Sequence, residues 1–416
     1  MKHTILLLLG ILMAATATAQ EVSEGVSIKK VNHLPEPQNS ISNYISVDTI
    51  IYFPTETDLR GLVSNQWGNT VMFTTFTTNT KSDTLRLYSI NAETFGVDTI
   101  YIYIKNLRKT IKNNQNTKIS NIAFNSKKLV LKYANNISIF TKQNNTYTLK
   151  KEFKTDAYPQ HMQFMNDSIL VLSNNYYSHT PPTYITLFNI NTLTVEKNIF
   201  PHFNNLLLSY FNPKKNFDVN GNTILWTNRA EYSFLIYDNK LQLQDSISQP
   251  VKDWKTLSEK TLKKAHKRNK HDAADIIAIV EKEFDKIDKL QWAYIMDTTH
   301  ILTARIRPYN KEKFHYAFLD IWQKNNGKSQ LKETEIDDSA IKSDTIQRNS
   351  FAINFMSNPE VHFVNNNKIV ILSRSGRVAE YPIGMPAQEY YQKKWDGWQN
   401  NEPFLRITIF SHTFAK

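Results

Sequence analysis

Val47-Asp48-Thr49-Ile50-Ile51-Tyr52 and Val97-Asp98-Thr99-Ile100-Tyr101-Ile102 are near copies of one another, set fifty residues apart. Both are rich in β-branched and aromatic residues, which suit a half-buried strand. Comparable segments start at Tyr147, Leu193, Leu241 and Leu331, so the steps from 47 through 97, 147, 193, 241 and 331 are 50, 50, 46, 48 and 90. Self-similarity at a near-constant period marks a repeat architecture, and each period is one supersecondary unit.

Two further strand types recur in phase with the first. One follows a polar turn: Gly68-Asn69 before Val71–Phe76, Asn125-Ser126 before Leu129–Tyr133, Asn166-Asp167 before Ile169–Ser173, Asn220-Gly221 before Ile224–Thr227, Thr298-Thr299 before Ile301–Ile306 and Asn365-Asn366 before Ile369–Ser373. The Asn, Asp and Gly of these turns are read as supplying the left-handed backbone that tight hairpins need. The other type runs through Leu85–Ile90, Ile137–Phe140, Ile185–Ile190, Phe234–Asp238, Tyr316–Trp322 and Leu405–Phe410. Six units of about four short strands predict an all-β chain, a six-bladed β-propeller. Its last unit lacks a fourth strand, and Val47–Phe53 is a fourth strand without a unit, so the N-terminal outer strand is expected to close the ring. A β-sandwich is the rival, and it leaves the equal spacing unexplained.

The segment Tyr158–Phe164, Ile169–Leu172, Tyr184–Ile190 and Thr192–Asn198 resembles one blade of TolB-like and NHL-like propellers. The resemblance covers residues 45–416 as repeats. It implies the fold and little about activity, since such propellers include binding scaffolds, lyases, lactonases and sensors. Trp395-Asp396 lies in an insertion and is not a WD40 signature.

Ahead of the repeats, Lys2 precedes an apolar run from Ile5 to Ala15, and Ala17-Thr18-Ala19 has the small-x-small form of a cleavage site. Residues 1–19 are therefore read as a secretory signal peptide and 20–44 as an extended leader. The apolar run is too short for a membrane-spanning helix of about 20 residues. A periplasmic or extracellular location follows, with no membrane span after cleavage. Cys is absent, which excludes disulfides, thiolate metal sites and a lipid-anchoring Cys. Lys and Arg total 50 against 38 Asp and Glu, and removal of Lys2 leaves 49 − 38 = +11. A basic surface outside the cytoplasm points to an anionic glycan, peptide or envelope protein as partner rather than to nucleic acid.

In an antiparallel repeat the connections alternate between two rims. Short turns share one rim; Thr77–Asp83, Lys105–Lys118, Asn174–Thr183, Gln249–Gln291, Arg307–Phe314 and Pro382–Pro403 share the other. Long loops on a rigid scaffold are where binding concentrates. The largest of these stretches holds a predicted helical hairpin insertion over residues 251–290. It carries Lys263, Lys264, Lys267 and Arg268 as candidate partner-docking residues; the plainer account is two solvated helix faces. Arg229, Arg305, Arg307 and Arg374 fall at the exits of second strands, where converging guanidinium forks suit carboxylate or phosphate. His161, Tyr176, Tyr177, Trp395 and Trp398 complete the candidate ligand-binding set; the plainer account is that such residues tie down their own loops.

No His-Glu-x-x-His, Gly-x-Ser-x-Gly, phosphate-loop or calcium-loop motif appears. No catalytic residue, metal ligand or cofactor is assigned. The leading expectation is a non-enzymatic binding or scaffold propeller working through its long-loop face. The alternatives are a metal-dependent hydrolase, lactonase or lyase at the channel mouth, and a structural subunit of an envelope complex docked through the helical insertion.

Overall fold

The structure is a computed structural model that describes residues 45–54, 62–75, 84–103, 119–133, 136–143, 146–154, 161–175, 183–199, 217–228, 232–248, 254–255, 258, 260–261, 287–297, 299–308, 315–325, 328–337, 360–364, 367–375 and 404–413. The signal and leader segments, and residues 262–286 of the insertion, lie outside them.

The described residues are all-β, apart from a helical fragment at Lys260 and Thr261. Their strands fall into antiparallel four-stranded units in simple up-and-down order. The first unit is β2 (Leu62–Trp67), β3 (Thr70–Thr75), β4 (Thr84–Asn91) and β5 (Val97–Tyr103). The second is β6 (Ile119–Phe124), β7 (Lys128–Tyr133), β8 (Asn136–Gln143) and β9 (Thr146–Lys154). The third is β10 (His161–Phe164), β11 (Ile169–Asn175), β12 (Thr183–Asn189) and β13 (Thr194–Ile199). The fourth is β14 (Phe217–Asn220), β15 (Thr223–Asn228), β16 (Ser233–Tyr237) and β17 (Leu243–Ser248). The fifth is β18 (Lys289–Ile295), β19 (His300–Pro308), β20 (His315–Asn325) and β21 (Lys328–Asp337). The sixth is β22 (Glu360–Val364), β23 (Lys368–Ser375) and β24 (Phe404–His412), with β1 (Ile45–Pro54) in the fourth position. A single parallel bridge between Ile102 and Tyr147 merges the first two units into one eight-stranded sheet.

β1 pairs antiparallel with β24 from Ile45↔His412 to Pro54↔Phe404. The register slips between Val47 and Thr49, leaving Asp48 as a bulge. The bulge is held: Lys368 Nζ donates to Asp48 Oδ2 at 2.7 Å, and Ser411 Oγ donates to the same carboxylate at 2.8 Å. Strands from opposite ends of the chain thus share one sheet.

The apolar residues fill the spaces between units. Leu87, Ile102, Leu129 and Phe140 pack the first against the second. Ala123, Val130, Leu170 and Phe188 join the second to the third, and Val171, Ile185, Ile224 and Trp226 join the third to the fourth. Phe234, Leu290 and Trp322 join the fourth to the fifth; Leu302, Tyr294, Ile369 and Phe410 join the fifth to the sixth. Phe73 and Ile90 meet Leu372, Leu405 and Ile407, so the sixth unit returns to the first. Strands buried on both faces explain why β7, β11 and β23 read as continuous apolar runs rather than alternating ones.

Turn chemistry differs from the sequence reading. Among the described residues positive φ occurs at Gly68, Gly221, Phe95, Leu193 and Leu241, and at no Asn. The Asn and Asp side chains act as caps instead. Asn125 Oδ1 accepts from Lys127 N and Lys128 N, Asn166 Oδ1 from Ser168 N and Ile169 N, and Asp297 Oδ1 from Thr299 N and His300 N. The side-chain oxygen mimics a backbone acceptor two or three residues back, so no left-handed residue is needed.

Lys289 and Leu290, the last residues of the predicted insertion, begin β18. The two roots of the insertion are tied together. Lys255 N donates to Asp288 Oδ2 at 3.0 Å and Asp288 N donates to Lys255 O at 2.9 Å, while Trp254 packs edge-on against Tyr232.

Candidate functional site

Each unit has its first strand at one end of the sheet, with a bare edge; this holds for β2, β6, β10, β14, β18 and β22. An edge presents N–H and C=O groups that must find partners when buried. Here the partners are side chains of the neighbouring first strand. Asn65 Nδ2 donates to Ile122 O at 2.7 Å and to Met162 O at 2.6 Å, joining β2 to β6 and β10. Gln163 Nε2 donates to Val219 O at 2.8 Å, and Asp218 Oδ2 accepts from Ile295 N at 3.0 Å. Tyr294 Oη donates to Val361 O. Ser64 Oγ lies 2.7 Å from His362 Nε2 and donates to Glu360 Oε2 at 3.3 Å, returning to β2. The result is a ring of polar cross-links through β2, β10, β14, β18 and β22, with β6 tied to it through Asn65, made by residues that are mostly buried. Burial pushes the Tyr294 hydroxyl well above its ordinary pKa, with the charges of Asp218 and Glu360 adding to the rise, so it stays a donor.

At one end of this ring lies a cavity of about 400 Å³. Its wall takes residues from the far ends of β2, β10, β14, β18 and β22: Trp67, Phe164, Asn220, Met296 and Val364 among them. These five strands therefore point the same way, and their hairpins share one rim. Gln66 and Gln163 also face this space, and the side-chain oxygen of each is buried without a hydrogen-bond donor in the protein. Such a group costs about 1–3 kcal/mol. Lys368 stands in the wall with its charge met by Asp48. His412, 4% exposed, is held neutral at pH 7: burial lowers its pKa to about 4, against a smaller opposing pull from Asp297. No carboxylate contributes to the wall among the described residues.

The candidates named from sequence distribute as follows. Arg305 is 1% exposed and lies between the fourth and fifth units, where its Nε donates to Asp320 Oδ2 at 3.0 Å. Tyr232 Oη donates to the same oxygen, and Trp322 Nε1 donates to Thr303 Oγ1 at 3.1 Å. Arg305 is thus an interior ion-pair partner. Arg307 and Arg374 occupy the penultimate positions of β19 and β23, at the rim opposite the cavity. His161 opens β10 at that same rim, half-buried, its ring 6.2 Å from Phe217. Arg229, Tyr176, Tyr177, Trp395, Trp398, Lys263, Lys264, Lys267 and Arg268 lie outside the described residues. The cavity and the polar ring were missed in the sequence. Their signal is a hydrogen-bonding side chain in the interior of each first strand: Asn65, Asn121, Gln163, Asp218 and His362, with Tyr294 in the fifth.

Among the described residues no group of three or more His, Cys, Asp or Glu side chains is placed to hold a metal ion, and no helix is long and apolar enough to cross a membrane. No family model and no curated protein matches the chain. Among solved structures it is similar to a member of the duf4221 family from Bacteroides vulgatus, with 10% identity and a TM-score of 0.49 over 88% of this chain and 98% of that one. A protein from Bacteroides fragilis whose name describes it as exported shows 8% identity and a TM-score of 0.48 over 91% and 98%. Apo AztD from Citrobacter koseri shows 11% identity and a TM-score of 0.30 over 45% and 47%.

Proposed function

We propose that the protein is an exported six-bladed β-propeller of the TolB-like or NHL-like kind that binds rather than catalyses. It recognises an anionic glycan, peptide or envelope protein at the rim of long connections. The observation that carries this reading is the shared direction of the first strands. With the short hairpins gathered at the cavity rim, antiparallel topology makes β5, β13, β17, β21 and β23 end, and β6, β14, β18, β22 and β24 begin, at the opposite rim. Arg307 and Arg374 end their strands there. Six four-stranded units and six apolar interfaces, the last returning to the first, support the closed ring. The reading of residues 1–19 as an export signal and the net charge support an anionic partner outside the cytoplasm.

The test uses heparin as the anionic probe and the mature chain from Gln20. Retention on heparin falls as salt rises. The triple variant Arg229→Ala, Arg307→Ala, Arg374→Ala elutes at clearly lower salt with an unchanged melting temperature. Retention equal to that of the parent chain would remove these arginines from the site.

A further inference from the structure

We infer that the outer wall of the second unit, along β9, is a binding surface for a linear anionic glycan that carries sulfate or carboxylate groups at intervals. The surface is distinct from the rim of the proposed site and uses none of its arginines.

Charge is shared unevenly among the units. The described residues of the second unit hold seven Lys and no Arg against one Glu, so 7 − 1 = +6. The lowest of the other units is the fourth, where Lys240 is set against Asp218, Asp238 and Asp245 and 1 − 3 = −2. The highest is the sixth, where Lys368, Arg374 and Arg406 against Asp48 and Glu360 give 3 − 2 = +1.

Three of the seven lysines serve the fold. Lys132 is buried and donates to Ser120 Oγ at 3.0 Å. Lys127 pairs with Asp167 at 3.1 Å, and Lys128 donates to Asp167 O and Asn191 Oδ1, which stitches the second unit to the third at the short-hairpin rim. The other four, Lys142, Lys150, Lys151 and Lys154, are exposed, and among the described residues their ammonium groups make no hydrogen bond or ion pair. Glu152, the one acid, is half-buried and interacts with the Tyr133 hydroxyl.

These four cations form a line. Lys142 stands opposite Tyr147 near the start of β9, and Lys154 ends the strand. At about 3.4 Å per residue the row is about 24 Å long, running from the short-hairpin rim toward the opposite one. A bulge at Lys150 breaks the strict alternation of faces, and both Lys150 and Lys151 are exposed. β9 bridges to β5 only at Tyr147, so from Thr148 onward its outer backbone edge pairs with no described strand. Lysine on an open edge also guards against aggregation, but charge of either sign does that. β13 carries Glu196 beside Lys197, and β17 carries Asp245; an all-cationic row without a compensating free acid belongs to β9.

Composition selects the partner. Protein interfaces favour aromatic residues and Arg and are poor in Lys. Binding to a bilayer grows with buried apolar area as well as with charge. None of the exposed large apolar side chains among the described residues belongs to the second unit. Lys is a compact point charge on a flexible stem, so a row of them suits separate anions repeated along a chain rather than one fixed carboxylate or phosphate.

The test measures binding of heparin dodecasaccharide and disaccharide to the chain from Gln20 by calorimetry across a salt series. The variant Lys150→Ala, Lys151→Ala, Lys154→Ala binds the dodecasaccharide at least tenfold more weakly, with an unchanged melting temperature. Its slope of log affinity against log salt falls by about 2, or about 0.7 for each lysine, as for a single-stranded polyanion. A charge-matched control on other units, Lys197→Ala, Lys240→Ala, Lys260→Ala, changes affinity less than twofold. The disaccharide binds at least tenfold more weakly than the dodecasaccharide. Equal loss in the lysine variant and the control overturns the inference, because net charge alone then explains binding. Equal affinity for the two saccharides overturns the extended row. Sedimentation with phosphatidylglycerol vesicles that depends on the same three lysines, without dodecasaccharide binding, overturns the glycan in favour of a membrane. The Arg229→Ala, Arg307→Ala, Arg374→Ala variant separates the two surfaces: loss there with none in the lysine variant overturns this inference and leaves the rim reading, and the reverse supports this inference and removes the rim arginines.

Discussion

Asn65→Ala is the sharpest test of the polar ring. The side chain donates to Ile122 O and Met162 O, and its Oδ1 accepts from Gln66 N at 2.7 Å. Truncation leaves two carbonyls and one N–H without these partners. At about 1.5 kcal/mol for each buried group so stranded, the cost is about 4–5 kcal/mol. Tyr294→Phe removes one donor, to Val361 O, and costs about 1.5 kcal/mol on the same basis. Asn65→Asp separates hydrogen bonding from packing. It keeps the shape and the acceptor for Gln66 N but turns a carboxylate toward two carbonyl oxygens, so it destabilises at least as much as Ala. Urea unfolding followed by tryptophan fluorescence reads all three. If Asn65→Asp is neutral, or if Asn65→Ala costs no more than Tyr294→Phe, the ring does not hold the first strands together.

Asp320→Ala removes the carboxylate to which Arg305 Nε and Tyr232 Oη donate in the interior and costs about 3–5 kcal/mol in the same unfolding assay. The pair Arg305→Met with Asp320→Leu costs less than the single change, because no charge is left buried. His412 sets an acid limit: its folded pKa of about 4 lies below the ordinary value of 6.5, so the unfolded chain takes a proton that the folded chain refuses. The stability it contributes, up to about 3 kcal/mol, is present above pH 6.5 and lost toward pH 4. His412→Phe flattens that part of the pH–stability curve measured by thermal melts.

The strands themselves were legible because the units repeat. The three recurring segment types coincide with β3, β7, β11, β15, β19 and β23, with β4, β8, β12, β16, β20 and β24, and with β1, β5, β9, β13, β17 and β21. The periodicity is local, and a strand buried on both faces announces itself by composition. Turn mechanism was less legible: Asn is frequent in turns both as a left-handed residue and as a cap, and composition does not separate the two. Arg305 shows a deeper limit. Its spacing from Ile301 resembled that of a rim residue, but its partner Asp320 stands on the neighbouring strand, inside the apolar Tyr316–Trp322 run. An acid in such a run was the available clue that a buried cation had to exist. The ring and the cavity escaped because their contacts join residues 56 to 298 positions apart, such as Gln163 with Val219 and Ser64 with His362. No window along the chain contains both members of such a pair.

The pairing of β1 with β24 has a kinetic consequence. On the ribosome β1 emerges before any other described strand and β24 after all of them, so the first-made hydrogen-bonding edge waits for the last-made one. Chain-closure entropy grows only with the logarithm of loop length, so the delay costs little free energy. It does leave the hydrogen-bonding edge of β1, a segment with three Ile, open throughout synthesis, where another nascent copy can capture it. A holding chaperone acting on residues 45–54 would protect the yield of this protein more than one acting on any later strand.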